Sequence, residues 1–297
     1  MRSERGQGTV EWIGLVLFVS LAMLGLLAAG ARVPGAPLAR ALADRILCAA
    51  SLADGCGDQP ALIAAYGTEL GELVRRHMPM LGFEPGSRAV PVDFRDCRSS
   101  ECGDATGEGL VRRTDEQLPI SAFVHVVDCR ADAAEQTEAD GGTCSGERAG
   151  NLYLQYWLYY ADSATLRGVP VAGKKGYHAD DWESVQFRIR PDGSVDQRAS
   201  SHHGYNWFRS DRNWLSDAGI RSHDGWGPET HLLLVSGGSH AGAAIGNAGA
   251  GVAPYIPGER VHLIPLEPMA AAGGYAFAVS PPWLKDVWLD PEAEGTS

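Results

Sequence analysis

Polar and apolar residues alternate through Asp181-Trp182-Glu183-Ser184-Val185-Gln186-Phe187-Arg188-Ile189-Arg190. A period of two is the mark of a β-strand with Val185, Phe187 and Ile189 on one face. Asp181 and Glu183 fall on that same face. Similar alternation, or short apolar runs rich in β-branched and aromatic residues, predicts further strands at 120–127, 151–160, 194–201, 231–236, 260–266 and 275–279. Pro191-Asp192-Gly193 is a turn signal between two of them. Helical spacing occurs earlier: Leu38, Leu42, Ile46 and Ala49, then Leu62, Tyr66, Leu70, Leu73 and Val74, with Gly55-Cys56-Gly57 as the break. The expected fold is mainly β: a two-sheet β-sandwich over residues 151–297, preceded by a short helical hairpin within 32–84 and a loop-rich stretch at 85–150.

An uncharged run from Trp12 to Ala31 follows Arg2 and Arg5, and is about long enough to cross a bilayer. Residues 1–31 are therefore expected to form a signal or transmembrane helix, with the C-terminal domain outside.

Two carboxylates on the core-facing side of a strand need compensation, because burying an unpaired charge costs several kcal/mol (about). His178, three residues before Asp181, can close over the same spot from the preceding loop. A hairpin about Pro191-Asp192-Gly193 would bring His202 or His203 opposite Asp181. Oxygen-rich sites with some imidazole suit Mg, Ca or Mn. A salt-bridged, solvated strand end is the alternative.

His178-x-x-Asp181-Trp182-Glu183 resembles the core of the Gly-His-Arg-His-Asp-Trp-Glu heptapeptide of the necrosis- and ethylene-inducing-like cytolysins, and the Asp-Trp-Glu segment of the vacuolar-protein-sorting-62 family. The aromatic run from Tyr153 to Asp162 resembles the strand before that motif. Ser201-His202-His203-Gly204 and Ser236-Gly237-Gly238-Ser239-His240-Ala241 are similar to later segments of both families. The resemblance implies a β-sandwich and a divalent cation held by Asp162, His178, Asp181 and Glu183, with His202, His203 and His240 as site walls. Tyr177, Ala179 and Asp180 stand where the cytolysins have Gly, Arg and a second His, so toxicity toward plant membranes is not carried over. Separately, Gly6-Gln7-Gly8-Thr9-Val10-Glu11 resembles a type IV prepilin or tight-adherence pseudopilin signal. That resemblance implies cleavage after Gly6, a role for Glu11 in pilin-like assembly, and a bacterial cell membrane as the location. A plain membrane anchor or a secretory signal cut near Ala29-Gly30-Ala31 are the alternatives.

The chain carries 25 Lys and Arg against 37 Asp and Glu, a net charge of −12. With no basic run, this disfavours nucleic acid as a partner. All six cysteines precede residue 150, in the stretch expected outside the membrane, and an even number there reads as disulfides. Nearest-neighbour pairing is expected: Cys48 with Cys56, Cys97 with Cys102, Cys129 with Cys144. Zinc is the alternative, although a paired C-x-x-C pattern is missing. The aromatics of 153–160 are core packing or a carbohydrate platform. Ser239 follows an expected strand, as a hydrolase nucleophile does, but the Gly-rich sequence after it is a poor start for a helix. Residues 280–291 form a Pro-bounded closing segment, and the last residues are expected to fray.

Three functions remain at this point. The first is a membrane-anchored protein with a cation site that recognises a surface glycan or lipid. The second is a pseudopilin-like structural subunit. The third is a metal-dependent hydrolase, for which no general base is evident beyond the ligands, so the expectation leans away from an enzyme.

Overall fold

The structure is a computed structural model that describes residues 59–84, 87–106, 113–163, 177–201, 204–206, 225–244, 261–266 and 274–293. The chain divides into two compact units, Met1–Asp54 and Gly55–Ser297, and every described residue lies in the second. The apolar run 12–31, Gly6, Glu11, the first predicted helix, Cys48 and Cys56 lie outside the described residues. Among the described residues, no helix is long and apolar enough to cross a membrane.

The fold is mainly β with two sheets and a few helices. A helix, α1 (Gln59–Arg76), leads in. It is interrupted at Gly67, whose φ of 79° and ψ of 170° break the helical path; glycine visits that region without a Cβ penalty. The larger sheet runs β10-β2-β3-β4-β5-β6, with β7 also pairing β5. Its members are β2 (Ser121–Asp128), β3 (Leu152–Ser163), β4 (His178–Ile189), β5 (Val195–Ser201), β6 (Gly204–Tyr205), β7 (Gly227–Pro228) and β10 (His262–Pro265). The smaller sheet is β1 (Met80–Phe83), β8 (Leu232–Val235) and β9 (Gly242–Ala244), in the order β1-β8-β9.

The β4–β5 hairpin forms as the turn signal predicts. Ile189 pairs with Val195, and Gly193 takes a φ of 82° as the last loop residue, the left-handed position that a three-residue hairpin loop requires. Alternation on β3 and β4 then sorts two cores. Leu154, Tyr156, Leu158 and Tyr160 share one face with Val185 and Phe187; they pack on α1, β1 and β8 through Leu62, Val74, Phe83 and Val235. Trp157, Tyr159 and Trp182 share the other face and pack on Phe94, Phe123, Val287 and Trp288. Every residue of β3 is buried. Its aromatic row is core, not a carbohydrate platform.

One expectation fails, for an identifiable reason. Residues 275–279 form no strand. Their backbone groups are taken by side chains instead: Ala276 carbonyl by Arg98 Nη2 at 2.7 Å and Ala278 N–H by Asp180 Oδ2 at 2.7 Å. The Gly-rich stretch after His240 does contain a strand, β9. A Cβ on Gly242 would sit 2.9 Å from Leu233 Cδ1 and 3.2 Å from Ala199 Cβ, so glycine here permits close approach of the two sheets.

Cys97–Cys102 and Cys129–Cys144 are disulfides, as nearest-neighbour pairing predicts. The second ties the end of β2 to the segment carrying α2 (Ala134–Ala139).

The C-terminal segment straps one face of the large sheet. Gln155 Nε2 donates to the Val287 carbonyl at 2.7 Å, and buried Arg198 donates to the Pro291 carbonyl. Glu292 accepts from Tyr153 Oη at 2.8 Å, Arg188 Nη1 at 3.0 Å and Trp226 Nε1 at 2.7 Å. Just past Pro291 the chain is anchored through Glu292; the last residues, 294–297, lie outside the described residues. His125 on β2 stacks on Trp288 at 3.5 Å between centroids and meets its carbonyl with Nε2 at 3.1 Å. Burial lowers the His125 pKa to about 3.

This gives a pH prediction. The unfolded chain takes up a proton on His125 near pH 6.5 and the folded one only near pH 3. Stability from this group is therefore complete above about pH 6.5 and is lost as pH falls through that window. Between pH 7 and 4.5 the parent should lose about 2 kcal/mol more than His125→Phe, read from urea midpoints. Parallel profiles for the two proteins would contradict the assignment.

Candidate functional site

Asp181 and Glu183 lie on the face of β4 that also carries Val185 and Phe187, buried to 6% and 3% exposure. Tyr160 on β3 is the direct partner of Asp181, and Asp162, two residues further, pairs with Ala179. The end of the β3–β4 ladder therefore gathers three carboxylates on one side of the sheet. His240, between β8 and β9, closes over them: its ring stacks on Tyr160 at 3.9 Å, and Nδ1 lies 2.8 Å from Asp181 Oδ2. His178 Nε2 lies 4.0 Å from Asp181 Oδ1. Its Nδ1 approaches the Asp180 carbonyl at 2.7 Å. Tyr177 donates to Asp162.

Strand alternation alone would send His178 to the face opposite Asp181. Asp180 breaks that alternation with a φ of 56°, and His240 has a φ of 55°. Left-handed backbone at a non-glycine residue costs on the order of 1 kcal/mol and persists where the surroundings enforce it. The two here flank Asp181 from either side.

Asp104 joins the group without any signal in the sequence. A short helix earlier in the chain (Ser100–Gly103) packs on β3, where a Cβ on Gly103 would meet Ala161 at 3.5 Å. The next residue, Asp104, bridges to Ala89. Burial first, and the charge of Asp162 second, raise the Asp104 pKa to about 6. Burial likewise raises Asp162, and burial plus the Asp181 charge hold Glu183 well above the usual carboxylate range. Lys285 pulls Glu183 the other way; its own pKa is lowered by burial. Asp162 Oδ2, Glu183 Oε2 and Tyr160 Oη are buried without a hydrogen-bond partner. Carboxylate oxygens left in this state suit a hard cation with oxygen ligands, although the ligand atoms of Asp162, Asp181 and Glu183 do not all lie within 4.8 Å of one another. His202 and His203 lie outside the described residues.

On the other face of β4, Asp180 organises a cleft. Tyr159 Oη donates to Asp180 Oδ1 at 2.6 Å, and Arg98 Nη2 to the same oxygen at 2.8 Å. Arg98 also stands over Phe277 and Tyr275, at 4.8 and 5.9 Å from the ring centroids. Phe94, Tyr275, Phe277, Trp283 and Leu284 line the cleft. Tyr275 is 46% and Leu284 70% exposed.

A third cluster was not foreseen. Among the described residues, the group of three whose ligand atoms all lie within 4.8 Å of one another is His77, Glu229 and His231, not the set around Asp181. His77 and Glu229 are separated by 152 positions, and no local pattern announces such a meeting.

The molecule is thus a mainly β, two-sheet protein with a buried carboxylate and imidazole cluster at one end of its central ladder. No protein-family model matches the chain, and no curated protein matches it. Among solved structures it is similar to NLPPya in complex with glucosamine and to the same protein in complex with mannosamine. Each is 18% identical, with a TM-score of 0.32 over 66% of this chain and 73% of the other. It is also similar to a non-toxic HaNLP3 protein: 14% identity, TM-score 0.34, 70% of this chain and 82% of the other. These are necrosis- and ethylene-inducing-like proteins, the group that the Asp181-Trp182-Glu183 segment resembles. At such TM-scores the likeness identifies neither family nor ligand.

Proposed function

We propose that this protein is a cation-containing recognition module that binds a surface glycan. The observation that carries the reading is the pair of buried, unpartnered oxygens, Asp162 Oδ2 and Glu183 Oε2, beside Asp181. A divalent ion there neutralises three carboxylates that burial otherwise disfavours. Asp162, Asp181 and Glu183 would hold it, with His178 at the rim. Burial raises the pKa of both Glu183 and Asp162, which favours their protonated forms, and a metal needs them deprotonated, so ion binding is favoured as pH rises.

The cation's role is to position. Asp180 and Asp181 are neighbours on β4, and Asp180 holds Arg98 and the Ala278 backbone. Fixing Asp181 fixes Asp180, and through it the aromatic cleft. Exposed Tyr275 with Phe277 offers ring faces to the C–H face of a sugar, and Arg98 supplies a polar edge. In this reading, residues 12–31 hold the module outside a bacterial cell membrane.

Asp104 favours a second reading. A carboxyl with a pKa of about 6 beside a cation site is in range for general acid–base work in a metal-dependent hydrolase. A pseudopilin-like role rests on Gly6 and Glu11 alone.

The test is a glycan array probed with the full-length protein, with and without EDTA. Binding that EDTA removes, and that Tyr275→Ala weakens by about tenfold, is expected. Retention by EDTA-treated protein at full strength would reject the coupling. Turnover on an ester panel, lost in Asp104→Asn, would select the hydrolase.

A further inference from the structure

His77, Glu229 and His231 come from two distant parts of the chain and meet over Phe187. His77 follows α1, its N–H bonded to the Leu73 carbonyl at 3.0 Å. Its ring lies 5.9 Å from Phe187 and 5.9 Å from His231, at 19° to the latter. Both imidazoles turn Nδ1 to one oxygen, Glu229 Oε1. His77 is in hydrogen-bond contact with it, and His231 is 3.4 Å away.

The backbones that carry these groups are fixed. Glu229 N–H bonds the Val195 carbonyl at 3.3 Å, and Thr230 N–H bonds Gln197 Oε1 at 2.9 Å. The His231 carbonyl accepts from Met80 N–H at 2.7 Å, and His231 holds a φ of 56°. Strand register continues this tie, with Met80 beside Leu232.

We propose that these three residues form a zinc-class metal site, separate from the Asp181 cluster. Two imidazoles and one carboxylate are a donor set suited to zinc and its neighbours rather than to calcium or magnesium. Tetrahedral ligands at bond lengths of about 2.1 Å stand about 3.4 Å apart, the spacing already present between His231 Nδ1 and Glu229 Oε1. The His77 contact must open to admit the ion. Side-chain exposure rises from 8% at His77 through 17% at Glu229 to 46% at His231. The site is therefore walled on the protein side and open to solvent for a fourth ligand. Phe187 lies six residues along β4 from Asp181, about 20 Å at strand rise, so the two sites load independently. A bound ion would staple the end of α1 to the loop entering β8.

Full-length protein stripped with chelator and titrated with zinc chloride tests this, with cobalt chloride as the visible probe. One equivalent should bind, with cobalt giving the intense visible bands of a tetrahedral site. His231→Gln, at the exposed rim, should keep the fold and weaken binding by about 100-fold. Asp181→Asn should leave zinc binding unchanged. Absence of saturable zinc binding, or equal binding in His231→Gln, would overturn the proposal, as would loss of zinc in Asp181→Asn with retention in His231→Gln.

Discussion

Glu292→Ala should destabilise the protein by about 3–5 kcal/mol, the range for removing one partner of a buried charged pair. The glutamate closes three contacts at once, with Tyr153, Arg188 and Trp226. Its charge also faces Arg198, which is fully buried, with its pKa lowered by that burial to about 10. Arg198 is held by Gln186 Oε1 at 3.0 Å and lies on the Tyr205 and Trp226 rings, at 3.6 and 4.2 Å to the centroids. Without Glu292, buried Arg198 loses that nearby negative charge, Arg188 is left with Asp196 alone, and Tyr153 Oη and Trp226 Nε1 lose an acceptor. The expected fall in Tm is about 10 °C for a unit of this size. Asp290→Ala is the control on the same strap. It removes the Arg148 pair, which is partly exposed, and the Glu292 N–H bond to Asp290 Oδ1, but leaves the Glu292 carboxylate in place, and should cost about 1–2 kcal/mol. Equal melting of Glu292→Ala and parent would show that the strap holds nothing.

The second large effect is on cation affinity. Asp181→Asn should weaken divalent-ion binding by about 100-fold or more, measured by calorimetry with Ca, Mg and Mn. Asparagine keeps an oxygen for His240, which lies 2.8 Å from Asp181 Oδ2, so far-UV dichroism should not change. The charge is what is lost. Since Glu183 is pushed up partly by the Asp181 charge, the same substitution should also make the ion-free protein slightly more stable. An unchanged affinity for all three ions would remove Asp181 from the ligand set.

Much of this could be read from the chain because it is local. The alternation of Val185, Phe187 and Ile189 gives β4 and also the face of Asp181 and Glu183, since a strand has only two faces. Pro191-Asp192-Gly193 sets the hairpin register. Two disulfides close short loops, where sequence neighbours are also spatial neighbours. What could not be read is what the topology alone brings together. Asp104 reaches the site from a helix with no periodic pattern, and His77 meets Glu229 across 152 positions. Residues 275–279 have strand composition, yet Asp180 and Arg98 take their backbone groups first. Glu292 sits where chain ends usually fray, and only the buried donors above it explain its anchoring.

The proposed ion would join β3 to β4 at Asp162, Asp181 and Glu183. The most direct measurement is anomalous diffraction from crystals grown with manganese. A peak within about 2.0–2.6 Å of Asp162 Oδ2 and Glu183 Oε2 is the predicted result. Those oxygens turned to bulk water, with no anomalous density between them at saturating manganese, would contradict it.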